Sequence, residues 1–438
     1  MSSSTNIASP LETVIRSAKR KTYLNVIFPL FLTSIIAYLD RVNLSYATLT
    51  MKQSLGFDEK ILGLGAGIFF IGYVLFEIPG ALLAERYSPK LWIARIMLSW
   101  GLVSGWLAFI HTEWEFYILR FLLGVAEASL YPVLYASCIP RWFSKQDRAR
   151  AIALMLTSLQ ISSIVGAPLA GTLLDLTWAG LEGWQLLFLL EAIPAVLFAI
   201  ILLFWMADSP EKARWLTHEE RQFLLDQYRR ENESTIAAGH YRVWDALRDR
   251  EVLLLCSAYF LWITGFWGFN YWMPSVLQAA SGWTNVAVGW TIVLPMGLSL
   301  AFMMWLGHHS SQTGEKRWHG ASSMFLGAAG MALGPMTDNV ILSFACLCLA
   351  AMGVYGAFGV WWSYPTTFLA GPAAAGAVGM INSFGNIGGF LGPYLTGFLK
   401  QTTGTFSYAW WFLAGSLFLA GLMMLHLGRS RRDQEQAR

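Results

Sequence analysis

The chain has 438 residues, of which 55% are apolar and only 13% are charged. Soluble globular proteins have roughly a quarter of their residues charged, so this composition excludes an ordinary soluble fold and predicts a helical protein with many membrane spans. The formal net charge of +3 is too small to indicate nucleic-acid binding. The polar opening segment before Tyr23 has no apolar core, which predicts that it is not a signal peptide.

The sequence carries no pattern of a catalytic or metal centre. Its four cysteines lie in apolar segments without a Cys-x-x-Cys pair, so they predict neither disulfides nor a metal site. No grouping of histidine, serine or cysteine is of the nucleophilic or metal-dependent kind, and no glycine pair has the context of a phosphate-binding loop. We therefore expect neither an enzyme nor a bound cofactor.

Twelve segments are long and apolar enough to cross a membrane, which takes about 20 residues. They cover approximately residues 23–48, 61–83, 91–110, 115–138, 149–175, 184–206, 251–280, 286–307, 320–336, 340–368, 373–399 and 406–427. Of the 30 lysines and arginines, 25 lie on the side that carries the N-terminus, and 3 lie on the other side. Positive residues mark the cytoplasmic side, so both termini are expected in the cytoplasm.

One long hydrophilic stretch, 207–250, divides the spans six and six. We expect an N-terminal six-helix bundle (1–206), a cytoplasmic linker with an amphipathic helix that begins at a capping box, Thr217 to Glu220 (207–250), and a C-terminal bundle with a short tail (251–438). The halves repeat each other, since GAPLAGTLLD from Gly166 resembles GPYLTGFLK from Gly392. Repeated halves are typical of transporters whose substrate site lies at mid-membrane between them.

Four charged residues inside the spans are the main candidates for a functional site. Asp40 and Arg41 interrupt the first span, and Arg120 and Glu127 lie two helical turns apart in the fourth. Intramembrane charges need partners, so we expect the two groups to meet around one cavity. The carboxylates offer positions for protons, and the guanidiniums offer positions for a carboxylate substrate. The alternative is a static salt-bridge cluster that only holds helices together.

Other polar residues give weaker signals, because single membrane amides more often join helices than bind ligands. Those that could line the cavity are Tyr38, Tyr73, Gln160, Asn382 and Asn386, with an aromatic wall that includes Trp267, Trp361 and Trp362. Nothing in the sequence links Glu77 or Glu191 to substrate binding, and we interpret both as structural.

Taken together, these residues resemble the major facilitator superfamily, and within it the anion:cation symporter family. The most specific stretches are LDRVN from Leu39, GWQLLFLLEAIPAV from Gly183, DSPEKARWLTHEER from Asp208, TGEKRWH from Thr313 and INSFGNIGGFLGPYL from Ile381. The combination is most similar to bacterial carriers of tartrate, phthalate, hydroxyphenylacetate and sugar acids. The loop signature after the second span departs from the family, with Glu85 in place of Asp and Ser88 in place of Gly.

The resemblance implies an all-α fold of twelve transmembrane helices in two pseudo-symmetric bundles, and a proton-coupled importer that works by alternating access. It implies that Asp40 and Glu127 carry protons and that Arg41 grips the substrate carboxylate. The other implied roles are substrate contacts by Tyr38, Tyr73 and Gln160 in the first half and by Trp362 and Asn382 in the second, with Arg120 as partner of the acidic groups.

We therefore predict a monomeric symporter in a bacterial inner membrane, with a small organic anion, protons and lipid as its partners and no nucleic acid. A proton-independent anion exchanger would be expected to lack the carboxylates of Asp40 and Glu127. A transport-inactive sensor on the same fold usually carries a signalling domain. Hydroxy-dicarboxylates, sugar acids and aromatic acids all offer a carboxylate to Arg41, so the sequence leaves the substrate open.

Overall fold

The structure is a computed structural model that describes residues 10–236, 250–362 and 372–427. Within these ranges the chain is helical, and its only strand-like feature is an isolated bridge between Trp178 and Leu181. The all-helical prediction is confirmed, as expected for a chain whose backbone groups must find partners inside a bilayer.

From residue 10, where the described chain begins, the first half contains nine α-helices. They are α1 (Pro10–Thr22), α2 (Phe28–Leu55), α3 (Glu59–Arg86), α4 (Pro89–Leu107), α5 (Glu113–Glu127), α6 (Leu130–Pro132), α7 (Ile139–Trp142), α8 (Lys145–Leu174) and α9 (Gly183–Trp205). Two π-helical turns, Tyr23–Ile27 and Val133–Cys138, join α1 to α2 and α6 to α7.

In the described part of the linker lies α10 (His218–Ile236), and the described residues of the second half form seven further helices. These are α11 (Arg250–Ser281), α12 (Asn285–Thr313), α13 (Arg317–Leu333), α14 (Val340–Gly356), α15 (Phe358–Trp361), α16 (Pro372–Thr403) and α17 (Ser407–His426).

Helices of the described residues coincide with all twelve predicted spans, and residues 363–368 of the predicted tenth span lie outside the described residues. Nine helical segments of the described chain are long and apolar enough to cross a membrane. The other three predicted spans coincide with α4 (19 residues), α13 (17 residues) and α16 (32 residues). Successive spans run in opposite directions. We call the side where α2 begins, α3 ends and α10 lies the linker side, and the opposite side the far side.

The first span begins earlier than the sequence predicted, because Pro10–Thr22 is helical and continues through the π-helical turn into α2. This polar extension packs against the linker. Ser17 Oγ donates to Glu220 Oε1 at 2.5 Å, and Lys21 Nζ donates to Glu220 Oε2 at 2.8 Å. The predicted capping box is confirmed, since Thr217 Oγ1 accepts from Glu220 N at 3.3 Å and Glu220 Oε2 accepts from Thr217 N at 2.8 Å.

The fourth span is broken, whereas the sequence predicted one continuous segment over 115–138. The helix α5 ends at Glu127, and Ser129 follows with φ of +72°, in the left-handed region that non-glycine residues rarely adopt. The Ser129 hydroxyl accepts a hydrogen bond from Trp92 Nε1 at 3.0 Å. The break places Glu127 at the end of α5.

The two halves meet at glycines toward the far side. On α3, a Cβ added to Gly63 would lie 2.7 Å from the carbonyl oxygen of Pro393 on α16. The second contact joins α8 to α12, where a Cβ on Gly289 would collide with the carbonyl oxygen of Ala167. Backbones can approach this closely only where no side chain intervenes. The repeated motifs from Gly166 and Gly392 thus occupy related positions, each against a helix of the opposite half.

Candidate functional site

A buried ion pair joins the first and fourth spans. Arg41 Nε on α2 donates to Glu127 Oε2 on α5 at 2.6 Å. The Arg41 side chain is 9% exposed and that of Glu127 is fully buried. This confirms the expected meeting of the two charged groups. A charge-assisted hydrogen bond of this length is strong in a site that excludes water.

Aromatic rings surround the Arg41 guanidinium. Its carbon lies 5.0 Å from the ring centre of Tyr73 and 5.3 Å from those of Phe69 and Tyr131. A planar guanidinium is attracted to aromatic faces and is more weakly hydrated than an ammonium group. The rings therefore hold the cation in place while shielding it from solvent. Tyr73 was predicted in the site, but Phe69 and Tyr131 were not.

Arg120 also lies over the Phe69 ring. Its guanidinium carbon is 5.0 Å from the Phe69 ring centre, and its Nε donates to the carbonyl oxygen of Gly65 at 3.1 Å. The expected ion pair between Arg120 and Asp40 is not present in this conformation. One ring is therefore shared by two cations, which places two positive groups at one wall of the site.

Asp40 contacts a different helix from its neighbour Arg41. Its Oδ1 accepts a short hydrogen bond from Ser104 Oγ on α4, and the residue is 4% exposed. Its Oδ2 is buried without a hydrogen-bond partner among the described residues, as is Oε1 of Glu127. Native proteins leave few buried polar atoms unpaired, so both carboxyl groups are suited to receive a proton or a ligand.

A small cavity lies between Arg41 and Arg120. Its volume is about 20 Å³, and its lining also includes Phe69, Trp267 and Tyr271. A space of this size holds about one water molecule, so an organic acid does not fit in this conformation. The site is closed, and its walls come from both halves of the chain.

Three further predicted residues make contacts of their own. Tyr38 stacks on Trp267 across the two halves with ring centres 6.0 Å apart, and Trp362 meets Tyr259 edge-on at 5.3 Å. Gln160 Nε2 lies 3.2 Å from Met303 Sδ, a contact between α8 and α12, and its Oε1 is a further buried atom without a partner in the described chain.

The interpretation of Glu77 as merely structural missed its contacts. Asn382 Nδ2 donates to Glu77 Oε1 at 2.6 Å, and Asn386 Nδ2 donates to Glu77 Oε2 at 3.2 Å. The two predicted substrate-binding amides of α16 are therefore held by a carboxylate of α3. Gly63 and Glu77 are fourteen residues apart and so lie on nearly the same face of a helix. This spacing is a sequence signal that Glu77 faces the same neighbouring helix as Gly63.

A bundle of twelve spans in two repeated halves, with charged side chains buried at mid-helix, defines a secondary transporter. The chain belongs to the Major Facilitator Superfamily, whose family model matches residues 30–393.

Curated relatives align over nearly the whole chain. A protein of Agrobacterium vitis named "Putative tartrate transporter" is 40% identical over 94% of this chain and 91% of its own. The "Quinolone resistance transporter" of Acinetobacter baumannii is 33% identical over 92% of both chains. The "Inner membrane transport protein RhmT" of Escherichia coli is 32% identical over 88% of this chain and 90% of its own.

Solved structures share the fold at low sequence identity. The inward-open xylose transporter XylE of Escherichia coli superposes with a TM-score of 0.72 at 16% identity, over 92% of this chain and 96% of that one. A bacterial homologue of the human lysosomal transporter Spinster, in an inward-facing conformation, gives 0.71 at 16% identity, over 92% and 94%. These likenesses establish the fold.

Proposed function

We propose that the protein is a proton-coupled symporter that imports a small organic carboxylate by alternating access. The observation that carries this proposal is the buried pair of Arg41 and Glu127, joined at 2.6 Å. An incoming carboxylate would compete with Glu127 for the same guanidinium. Once the cargo takes Arg41, Glu127 loses its counter-charge in a buried site and takes up a proton. Cargo and proton thereby favour each other's binding.

Asp40 is the second proton carrier in this scheme. Its unpaired Oδ2 can accept a proton, while the hydrogen bond from Ser104 keeps its Oδ1 in place. Tyr38, Tyr73, Arg120 and Gln160 serve as substrate contacts in the first half, and Trp362, Asn382 and Asn386 serve in the second. A static salt bridge would need no such set of polar groups from both halves.

The cargo is an acid such as tartrate, a sugar acid or an aromatic acid. The name of the Agrobacterium vitis relative, which is 40% identical, supports a carboxylate of the first kind. An aromatic cup around an arginine suits a compact anion, because the rings exclude water from the charge that they surround.

We place the protein in a bacterial inner membrane as a monomer with both termini in the cytoplasm. The concentration of 25 of the 30 lysines and arginines on the linker side supports this orientation. We also propose the division into a six-helix bundle over 1–206, a linker over 207–250 and a second bundle over 251–438.

The test is transport by purified protein in liposomes, with Glu127→Gln compared with wild type. The amide is nearly isosteric with a protonated carboxyl group but cannot ionise. We expect substrate counterflow to be retained and accumulation driven by a pH gradient to be lost, because a gradient does work only through a group whose protonation changes during the cycle. Asp40→Asn should impair the same driven step.

The control is Glu113→Gln, at the start of the same helix and away from the ion pair. It should behave like wild type in both assays. The assay uses tartrate, gluconate and an aromatic acid in parallel. Normal pH-driven accumulation by Glu127→Gln would contradict the coupling role and leave the static salt bridge as the explanation.

A further inference from the structure

Glu77 lies in the part of α3 toward the linker side and contacts α16 there. Along α3, Gly63 meets Pro393, Gly67 meets Phe390 and Phe70 meets Gly389, and Glu77 continues this antiparallel row. The contacts before it are apolar or glycine to backbone. Glu77 is 4% exposed, and its carboxylate accepts two hydrogen bonds from neutral amides. Both hydrogen bonds join the first half of the chain to the second.

The geometry makes Asn382 and Asn386 a ready site for a carboxylate. They lie one turn apart on α16, and each amide donates to a different oxygen of Glu77, at 2.6 and 3.2 Å. Glu77 itself lies one turn beyond Tyr73, which packs against Arg41 at 5.0 Å. Along α3, the residue that packs against Arg41 and the residue that binds the amide pair are therefore one helical turn apart, roughly 6 Å.

We propose that Glu77 is a latch that closes the linker side by occupying the position meant for the second carboxylate of a dicarboxylate cargo. The latch follows from the contacts alone, whereas the identity of the cargo rests on the proposed function. In the cargo-free protein, Glu77 holds α16 against α3. A dicarboxylate that binds Arg41 at one end takes the amide pair at the other, displaces Glu77 and frees the linker side to open.

The latch is tested without any substrate. Ala81→Cys places a thiol one turn beyond Glu77, toward the linker side, and its rate of labelling by a maleimide in detergent reports access to the interface. The four native cysteines are buried, and the parent protein without Ala81→Cys gives the background. Combining this reporter with Glu77→Ala should accelerate labelling roughly tenfold, since two hydrogen bonds to a charged group are lost.

Two further variants distinguish loss of the latch from a folding defect. Glu77→Gln keeps the length and one acceptor oxygen, so its labelling rate should lie between those of wild type and Glu77→Ala. Asn386→Ala removes one donor from the other helix and should also accelerate labelling. The matched control, Glu113→Ala, removes a carboxylate away from the interface and should leave the rate unchanged. Equal rates in all of these proteins would overturn the latch.

Competition for the amide pair is tested by equilibrium binding of tartrate and of lactate, which has one carboxylate. Glu77→Ala should bind tartrate roughly tenfold more tightly than wild type and lactate no better, because only a second carboxylate uses the vacated amides. An equal gain for both acids would indicate simple loss of repulsion and overturn the competition. Failure of wild type to bind any acid would contradict the proposed function, while the labelling rates would still decide the latch.

Discussion

Asp40 and Arg41 are adjacent in the chain, yet their side chains leave α2 toward different helices. Asp40 is bound by Ser104 on α4, and Arg41 is bound to Glu127 on α5. Successive residues on a helix point about 100° apart, which makes this divergence a direct result of helix geometry. The neighbouring charges do not neutralise each other through a direct contact, so substitutions of the two should produce separable defects.

Replacing Arg41 with lysine should weaken substrate binding by about tenfold or more. Lysine retains the positive charge but lacks the planar fork that binds a carboxylate through two parallel hydrogen bonds and packs on aromatic faces. The measurement is the dissociation constant for the acid that wild type transports. Arg95→Lys is a matched control, because Arg95 also packs on an aromatic ring, that of Trp92 at 4.2 Å, but is exposed on α4. Wild-type affinity in Arg41→Lys would show that Arg41 is only a structural partner of Glu127.

Gly289→Leu should slow transport while leaving substrate binding largely intact. A side chain at Gly289 collides with the backbone of α8 at Ala167, so the far side of the interface cannot close fully. The binding residues lie elsewhere and are unchanged. Uptake and equilibrium binding are measured together, with Gly297→Leu as control, since Gly297 lies on the same helix with no atom within 4 Å of an added Cβ. Equal uptake by the two variants would contradict a steric role for this contact.

The ionised side chain of Glu220 should stabilise the folded state, and this stabilisation should be lost in acid. Burial alone would raise its pKa, but hydrogen bonds from Lys21, Ser17 and the Thr217 backbone lower the pKa to about 2. A depressed pKa means that the stabilisation is present above the ordinary value of 4.5 and is lost as the pH falls from there toward 2. Glu220→Gln should therefore lower the melting temperature at pH 7 by roughly 2–4 °C.

The same comparison at acid pH provides the check on Glu220. Wild type and Glu220→Gln should converge in melting temperature as the pH falls from 4.5 toward 2, because unfolded Glu220 becomes protonated near 4.5 while folded Glu220 stays ionised until the pH nears 2. Glu219→Gln, which alters the exposed preceding residue, should match wild type at every pH. A difference between wild type and Glu220→Gln that stays constant down to pH 3 would exclude a charge-dependent contribution.

The sequence was informative about the spans and about the charged centre for the same physical reason. Apolar runs and the rarity of charge inside them are direct consequences of bilayer solvation. Asp40, Arg41, Arg120 and Glu127 stand out against such a background without any three-dimensional information. The pairing of Arg41 with Glu127 then follows, because a buried cation requires an anion nearby.

The rest depended on contacts that local sequence does not encode. Ser129 adopts a left-handed backbone where no glycine or asparagine announces a break. Phe69 is one of many apolar residues, and its contact with two guanidiniums arises from the packing of α2, α3 and α5. The partners of Glu77 could not be predicted, because they lie more than 300 positions away in the chain.

The far-side contacts include several close approaches of glycine to backbone, whereas the central site consists of charged and aromatic side chains. Under the proposed function, the residues that determine how closely the far side packs are therefore different from the residues that bind the cargo. A single added methyl group at Gly63 or Gly171 would alter how long the carrier dwells in each state without touching Arg41 or Glu127. Natural selection can thus change the turnover rate of such a carrier while its substrate stays the same.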